Sequence, residues 1–354
     1  MEMKSAAVVR NAEERKAFYA KIDGDNLAPL WEVLKGLIPD EPRPAAAPHL
    51  WDYDAIRPAI MEAGALLTAR EAERRVLVLE NPALRGQSLI TDVLYGGLQL
   101  ILPGEVAPAH RHTQSALRFI VDGAGAYTAV NGERTLMHEG DFVITPSWTW
   151  HDHGNDSPDP MVWLDVLDLS TVAHFHGQFR EEWEEERYPV NRPEGDALAR
   201  YGAGLLPIDY RPASATSPIF NYPYTRTRDS LYRMSRVGDP DPHFGYKLKY
   251  INPVNGDWAM PTIATTMQWL PAGFDSLAYQ STDGQGFVCV EGRGETRVSL
   301  PDGSQTCLKW KPRDVFVVPG WLKHTHHAAQ DAVVFGFSDR SAQEKLGLFR
   351  ERRH

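Results

Sequence analysis

The sequence predicts a mainly β protein in which two similar barrels follow a helical N-terminal arm. Short apolar runs alternate with glycine-containing turns through most of the chain, which is typical of sandwiches and barrels. One such turn, Val121-Asp-Gly-Ala-Gly125, returns as Val290-Glu-Gly-Arg-Gly294 and indicates an internal repeat. Before residue 70, apolar residues recur at helical rather than strand spacing.

Length and composition limit the classes of protein to consider. The 354 residues allow two domains with sizeable cores, and the formal net charge of −10 argues against a nucleic-acid or anionic-membrane partner. Cys289 and Cys307 are too few for a disulfide framework. The first ten residues lack an apolar signal core, and no run approaches the ~20 apolar residues of a membrane span. We therefore expect a cytoplasmic protein.

The N-terminal arm, residues 1–70, is predicted to contain three helices. Helical periodicity covers residues 11–22 and 29–37, with candidate apolar-face residues Phe18, Leu30, Trp31, Leu34 and Leu37. Pro29 suits a first helical turn, and Asp54 is expected to cap a helix over residues 54–62. Prolines between residues 39 and 48 predict an extended linker. Such an arm is expected to pack on a barrel or a neighbouring subunit.

The first barrel is predicted over residues 71–172. Strand patterns cover residues 75–79, 95–102, 117–121, 126–130, 142–145 and 162–167. Asn131-Gly132 is a strong signal for a two-residue hairpin. Residues 173–250 are expected to connect the two barrels, and their acidic run at 181–187 predicts a solvated helix face. The second barrel is predicted over residues 251–340, and a tail follows at 341–354.

Three histidines of the first barrel predict a metal site. His110 and His112 are two residues apart, so on a strand both side chains leave the same face. His151 follows the apolar strand pattern at residues 142–145. Neutral imidazoles suit iron, zinc, copper or nickel alike. Three of them leave about three positions of an octahedron, enough for a bidentate substrate and dioxygen, whereas hydrolytic zinc needs one open position and a general base.

The internal repeat predicts no metal in the second barrel. Pro146-Ser-Trp-Thr-Trp-His151 returns as Pro319-Gly-Trp-Leu-Lys-His324. In this register Tyr279 takes the place of His110, and Ser281 that of His112. One remaining histidine does not make a site for a first-row metal.

The histidine blocks resemble the two signatures of the cupin family, through Gly104, His110, His112 and Gly123, and through Gly140, Pro146, His151 and Asn155. Ala116 stands where cupins have a glutamate ligand, and Trp148 replaces a glycine. A cupin with three histidines and no glutamate is similar to the gentisate and salicylate 1,2-dioxygenases, bicupin enzymes that cleave aromatic rings with ferrous iron. The sequence around residues 94–103 and 146–153 resembles that family as well.

This resemblance implies a bicupin, with two double-stranded β-helix barrels and one Fe(II) per chain in the N-terminal barrel. It implies extradiol-type cleavage of gentisate (2,5-dihydroxybenzoate) between C1 and C2 with O2, giving maleylpyruvate, in the catabolism of aromatic compounds. Salicylate and 1-hydroxy-2-naphthoate are alternative substrates. A homotetramer is also implied. A non-catalytic cupin that binds a small acid is a different class, and the intact histidine set argues against it.

Arg118 is the residue that the pattern itself suggests for substrate binding. It lies six residues beyond His112, so an unbroken strand would point it into the barrel. An inward arginine is costly unless an anion meets it, although an ion pair at the barrel rim is an ordinary alternative. Tyr95 lies near the expected pocket, where its hydroxyl could reach substrate or solvent. Trp148 and Trp150 are expected to pack at the barrel mouth.

The family resemblance adds four further site residues. It assigns Arg74 and Gln99 to the substrate carboxylate, although the pattern alone would make Arg74 a surface ion-pair residue and Gln99 an ordinary strand residue. It assigns His153, two residues after the third ligand, to proton exchange with substrate oxygens. It places Asp165 near the far ring hydroxyl of gentisate, and the alternative is a structural acid that pairs with an arginine or a backbone N–H.

Overall fold

The computed structural model describes the backbone of residues 2–354 and the side chains from residue 11 onward. The chain forms two units, an N-terminal unit that ends at Arg43 and a larger unit over Pro44–His354. Strands hold 33% of the residues and helices 20%. The prediction of a mainly β fold with a helical N-terminal arm is therefore confirmed.

Seven helices and one 3₁₀ turn are described: α1 Glu2–Asp23, α2 Leu30–Leu37, α3 Tyr53–Leu66, α4 Leu169–His174, α5 Asp196–Tyr201, α6 Tyr224–Ser235, α7 Arg340–Lys345 and the turn Pro82–Leu84. Two predicted helix starts are wrong. Pro29 has an extended backbone (φ −75°, ψ 110°) and precedes α2 instead of lying in its first turn. Asp52, not Asp54, caps α3, because Asp52 has the extended backbone of a cap residue and accepts from Ala55 N at 3.2 Å.

The N-terminal unit contains α1 and α2. Tyr19 joins them, since its hydroxyl accepts from Trp31 Nε1 at 2.7 Å and donates to Glu32 Oε1 at 2.6 Å. The predicted apolar face is exposed in this unit, and no residue of α2 is buried. The packing of this arm on a barrel or a neighbouring subunit stays a prediction.

The first barrel consists of two facing antiparallel sheets. Its strands are β2 Val76–Val78, β3 Tyr95–Ile101, β4 Val106–His112, β5 Ala116–Asp122, β6 Ala126–Val130, β7 Glu133–Leu136, β8 Phe142–Thr145, β9 His151–Asn155, β10 Met161–Leu167, β11 Arg180–Glu182 and β12 Asn221–Tyr222. One sheet has the order β12-β8-β5-β10-β3-β2, and the other has β11-β4-β9-β6-β7. The predicted hairpin joins β6 to β7, with positive φ at both Asn131 and Gly132.

The second barrel repeats this arrangement. Its strands are β1 His49–Trp51, β13 Tyr246–Lys249, β14 Ala264–Leu270, β15 Tyr279–Ser281, β16 Gln285–Glu291, β17 Gly294–Ser299, β18 Gln305–Trp310, β19 Val315–Val318, β20 His324–Ala328, β21 Ala332–Ser338 and β22 Glu351–Arg353. The sheet orders are β1-β19-β16-β21-β14-β13 and β18-β17-β20-β15-β22.

The large sheets of the two barrels share one hydrophobic core. Phe119 of β5 stacks on Phe335 of β21, with ring centroids 4.1 Å apart, and Phe142 of β8 packs at their side. Each barrel also has a smaller interior cluster of its own. The shared core fixes the two barrels against each other and leaves the interior of each barrel open for a cavity.

The segment between the barrels differs from its prediction at the acidic run. Residues 180–182 form β11, which pairs with β4 so that Glu182 lies opposite His110 and Arg180 opposite His112. The expected solvated helix face is therefore wrong, because pairing with β4 determines the conformation. The domain boundaries stay predictions. Within them, β1 of the arm region pairs with β19, and β22 of the tail pairs with β15.

Between residues 2 and 354, none of the helices combines the length and the apolar character that crossing a membrane requires.

Candidate active site

The three predicted metal ligands meet inside the first barrel. His110 of β4 lies opposite His151 of β9, with ring centroids 4.5 Å apart. A β-bulge between Ala107 and His110 contains Pro108, which has no N–H to donate to a sheet. Beyond the bulge the pairing resumes with His110 opposite His151. As a result, one nitrogen of each of the three histidines lies within 4.8 Å of the others.

The histidines are held in the neutral form that a metal requires. Burial, with further repulsion from Arg74 and Arg118, holds the pKa of His110 and His151 far below the usual value and lowers that of His112 to about 4. His112 Nδ1 lies 2.8 Å from the Gln114 carbonyl oxygen, and His151 Nδ1 lies 2.9 Å from that of Thr149. A neutral imidazole must donate from Nδ1 in these contacts, which leaves its Nε2 lone pair free.

A second feature of the three histidines also fits a metal ion. His151 Nε2 is buried and has no hydrogen-bond partner among the described atoms. Leaving such an atom unpaired is costly unless a ligand completes it. The three-histidine group can therefore bind a metal.

A cavity of about 570 Å³ adjoins the three histidines. All but one of the predicted site residues line it, namely Arg74, Tyr95, Gln99, His110, His112, Arg118, His151 and Asp165. Its volume lies within the ~300–1,000 Å³ that is typical of small-molecule sites.

Arg74 enters the cavity from the segment just before β2. Its guanidinium donates to the Pro108 carbonyl at 3.0 Å and lies 3.4 Å from His110 Nε2. Among the described side chains, no carboxylate pairs with it. Burial, together with repulsion from Arg118, lowers the pKa of Arg74 to about 9, so it stays charged at neutral pH. The surface ion pair that the sequence pattern alone suggested does not form.

Arg118 and Asp165 lie directly opposite each other on β5 and β10. Both are buried, and Arg118 Nε lies 3.4 Å from Asp165 Oδ1, yet neither of these two atoms has a hydrogen bond. Burial raises the pKa of Asp165 to about 6 against the opposing effect of Arg118. The two residues thus form a loose ion pair, and each keeps an unsatisfied polar atom that a ligand could complete.

Gly97 makes room for Tyr95 in the cavity wall. A Cβ at Gly97 would lie 2.5 Å from Val76 Cγ1 and 3.0 Å from the Tyr95 hydroxyl, so a larger residue would displace one of them. Burial raises the pKa of Tyr95, and its hydroxyl therefore stays protonated. Gln99, two residues further along β3, is buried and also reaches the cavity.

His153 does not line the cavity, although it lies on the same strand as His151. It is fully buried, its ring centroid is 5.6 Å from that of His151, and its Nδ1 contacts the hydroxyl of Thr128. Its Nε2 has no partner among the described atoms, and burial holds its pKa well below the usual value. His153 thus lies one layer deeper in the barrel than the sequence suggested.

Trp148 stands where cupins have a glycine, and its backbone is left-handed, with φ 59°. Its backbone N–H donates to the His112 carbonyl at 2.7 Å, and the Arg111 guanidinium lies 4.4 Å from the centre of its ring. These contacts offset the strain of a bulky side chain with positive φ. The contacts of Trp148 with His112 and Arg111 agree with the prediction that it packs at the barrel mouth.

One part of the cavity wall was not predicted. Gln178, Phe179 and Arg180 of the connecting segment line the entrance, where Arg180 pairs with Glu73 at 2.6 Å. No local signal marks these residues, because their place depends on the pairing of β11 with β4.

Comparisons with known proteins agree with this geometry. Residues 97–167 match the cupin domain family. The gentisate 1,2-dioxygenase 1 of Aquipseudomonas alcaligenes is 54% identical, over 97% of this chain and 97% of the relative. The 5-aminosalicylate 1,2-dioxygenase of a Comamonas species is 33% identical, over 92% of this chain and 87% of the relative. A salicylate 1,2-dioxygenase variant from Pseudoaminobacter salicylatoxidans, solved in complex with gentisate, superposes with a TM-score of 0.89 at 31% identity, over 96% of this chain and 95% of that one.

Proposed function

The chain belongs to the family of gentisate 1,2-dioxygenases, ring-cleaving bicupin enzymes, and we propose that it cleaves gentisate between C1 and C2 with O2. The observation that carries this proposal is a single cavity with three neutral histidines beside the guanidinium of Arg74. Both oxygen atoms enter the product maleylpyruvate as the C1–C2 bond breaks, so the reaction needs no external reductant.

The proposed metal is one Fe(II) per chain, held by His110, His112 and His151. When bound, it supplies a chelation point for the carboxylate and ortho hydroxyl of the substrate and a redox centre for dioxygen. The chain contributes neutral ligands, so the full charge of the ion remains to be balanced by an anionic substrate.

Arg74, Arg118 and Gln99 are proposed to bind the substrate carboxylate. Arg74 is the best placed, because it has no carboxylate partner and its guanidinium adjoins His110. Arg118 offers its Nε, which has no hydrogen bond, and Gln99 offers an amide. Charge-assisted hydrogen bonds from these residues orient the ring and hold its C1 edge towards the histidines.

Asp165 is proposed to accept a hydrogen bond from the 5-hydroxyl of gentisate, with Tyr95 in the adjoining wall. Its free Oδ1 supports this role. Its pairing with Arg118 is equally expected of an acid that only supports the structure. In that case Asp165 is not reserved for a 5-hydroxyl, so this pairing favours salicylate or 1-hydroxy-2-naphthoate as the second candidate substrate.

His153 is proposed to exchange a proton with substrate oxygens. Its unpartnered Nε2 beside His151 supports this role, and its low pKa keeps the ring neutral at neutral pH. Because His153 lies behind His151, the exchange would need a short movement of its ring or a bridging water.

Oxygen uptake tests the proposed function. Protein loaded anaerobically with Fe(II) is mixed with gentisate, salicylate or 1-hydroxy-2-naphthoate and then exposed to air. We expect one O2 consumed per gentisate, with formation of the ring-opened product, and slower uptake with the other two acids. No uptake with any ortho-hydroxy aromatic acid would contradict the enzymatic reading. Light scattering of the same sample tests the homotetramer that the family resemblance implies.

A further inference from the structure

The second barrel encloses a cavity of its own, with a volume of about 340 Å³. This volume is within the ~300–1,000 Å³ range of small-molecule sites. Much of its wall is aromatic, formed by Phe244, Trp258, Tyr279, Phe287 and Phe337. The edge strand β13 brings Lys247 and Lys249 to the same cavity. Flat apolar walls with cations at one side are the surroundings that an aromatic acid requires.

Lys247 carries a charge that the protein does not balance at close range. Among the described side chains, no carboxylate oxygen lies within 4.0 Å of its Nζ, and the Nζ lies 4.8 Å from the centre of the Phe244 ring. Burial lowers the pKa of Lys247 to about 8. Lys247 is half-buried, and holding an ammonium partly out of water without an anion is costly, so an anionic ligand would lower that cost.

The residues that line this cavity include three cations, Lys247, Lys249 and Arg340, and two carboxylates, Asp283 and Glu344, so the lining is positive by one charge. Arg340 pairs with Glu344 at 2.7 Å and lies 3.8 Å from Glu351. Asp283 Oδ1 accepts from Ser281 Oγ at 2.5 Å. Asp283 is thus bonded to a hydroxyl rather than to a cation, so its carboxylate offsets part of the positive charge, and the excess is shared by Lys247 and Lys249.

Gln268 lies beside this cavity and supplies a second donor: Thr266, two residues before it on β14, lines the cavity, although Gln268 itself does not. It lies directly opposite Lys247 in the pairing of β13 with β14, so both side chains leave the same face of the sheet. Gln268 is 2% exposed, and its amide Nε2 has no hydrogen-bond partner among the described atoms. An ammonium and a free amide N–H on one face are suited to the two oxygens of a carboxylate.

The first barrel is built in the same way at this position. There Gln99 lies opposite Val76 of the edge strand β2, and Arg74 enters the cavity two residues before Val76. Each barrel thus combines a buried glutamine with a cation from its edge strand or from the segment just before that strand. The second barrel keeps this combination without the three-histidine group.

We propose that the second barrel binds a small monocarboxylic acid with a flat apolar body, without a metal. The carboxylate contacts Lys247 and Gln268, and the body lies against the aromatic walls. This site is separate from the proposed ring cleavage and does not depend on it.

4-Bromobenzoate is a suitable probe, because its bromine is located directly by anomalous scattering and it lacks the ortho hydroxyl of the proposed substrates. We expect a bromine peak in the second barrel of the iron-loaded protein. By calorimetry, Lys247→Met should bind one 4-bromobenzoate fewer per chain than the wild-type protein. Lys309→Met, which removes an exposed lysine from β18 of the same barrel, should bind the wild-type number.

Gln268→Leu is the second variant, since it removes the unpartnered amide at nearly constant volume, and it should weaken the same site about tenfold by the loss of one hydrogen bond to an anion. Thermal unfolding verifies that each variant is folded. The proposal is overturned if the second barrel shows no bromine, if Lys247→Met binds the wild-type number, or if binding occurs at crystal concentration only. None of these readouts uses ring cleavage, so failure here is distinct from failure of the proposed enzyme activity.

Discussion

The two barrels share a framework of polar contacts and differ in the groups that face their cavities. In the first barrel Asp168 accepts from Ser115 N, and in the second Asp339 accepts from Gly284 N, both at 2.9 Å. Each barrel also has a tryptophan with positive φ at the same place, Trp148 and Trp321. These contacts are present with and without the three histidines, so they serve the fold rather than the chemistry.

The differences include opposed pairs of residues in the paired strands. His110 lies opposite His151 in the first barrel, and Tyr279 lies opposite His324 in the second, as the repeat in the sequence predicted. The opposed pair Arg118 and Asp165 is replaced by Phe287 and Gly336. The comparison teaches that the metal ligands and this ion pair can change while the barrel stays intact, so they are the positions at which function can be tested.

The largest effect is expected from the matched pair His151→Ala and His324→Ala. His151→Ala removes one of three protein ligands and should reduce both bound iron and gentisate turnover to background. His324→Ala truncates the corresponding buried histidine of the second barrel and should leave both at the wild-type level. Metal analysis and oxygen uptake measure the two quantities, and full iron retention in His151→Ala would refute the proposed ligand set.

The next largest effect, on kcat, is expected at His153. Its counterpart in the second barrel is His326. His153 contacts Thr128, and His326 lies 2.8 Å from Thr296 Oγ1 through its Nδ1. If His153 exchanges protons, His153→Gln should lower kcat about 100-fold at unchanged iron content, the lower end of the range for acid–base catalysis. His326→Gln should leave kcat unchanged.

Similar losses of thermal stability and kcat in both glutamine variants would make the threonine–histidine contact a shared structural feature. His153 would then be removed from the proposed mechanism, whereas the metal site would be unaffected.

A smaller effect is expected at Arg118, which the second barrel replaces by phenylalanine. Arg118→Met removes a charge-assisted hydrogen bond of about 1.5–3 kcal/mol, which corresponds to roughly 10- to 100-fold weaker gentisate binding. Iron content should not change. Anaerobic titration with gentisate measures the binding.

The double variant Arg118→Met with Asp165→Asn is the control, because Arg118→Met alone leaves Asp165 buried without its partner. If gentisate binds normally to both variants, Arg118 is only a structural ion-pair residue.

Sequence reasoning was most successful where the determining signal is local. The spacing of His110 and His112, the Asn131-Gly132 turn and the strand at residues 142–145 all lie within short segments, and the structure agrees at each. It failed where a distant partner decides. The start of the acidic run, Glu181 and Glu182, lies in a strand because β4 pairs with it. The contact between Arg118 and Asp165 follows from a strand order that no local pattern contains.

The smallest effect, a change in substrate preference, is expected at Asp165. Gentisate carries a 5-hydroxyl that salicylate lacks, and an ionised carboxylate accepts a hydrogen bond from it more strongly than an amide oxygen does. Asp165→Asn should therefore slow gentisate turnover about tenfold more than salicylate turnover.

The pKa of Asp165, raised to about 6 by burial, adds a second test. Above pH 6 the carboxylate is ionised, and below pH 6 it gains a proton and becomes a weaker acceptor. In the wild-type protein the ratio of gentisate to salicylate turnover should fall as the pH drops through 6, while in Asp165→Asn the ratio should stay constant. The ratio cancels any loss of iron at low pH, because that loss affects both substrates equally. Equal losses on both substrates, with the same pH dependence in both proteins, would assign Asp165 to the support of Arg118 and reopen the choice between gentisate and salicylate.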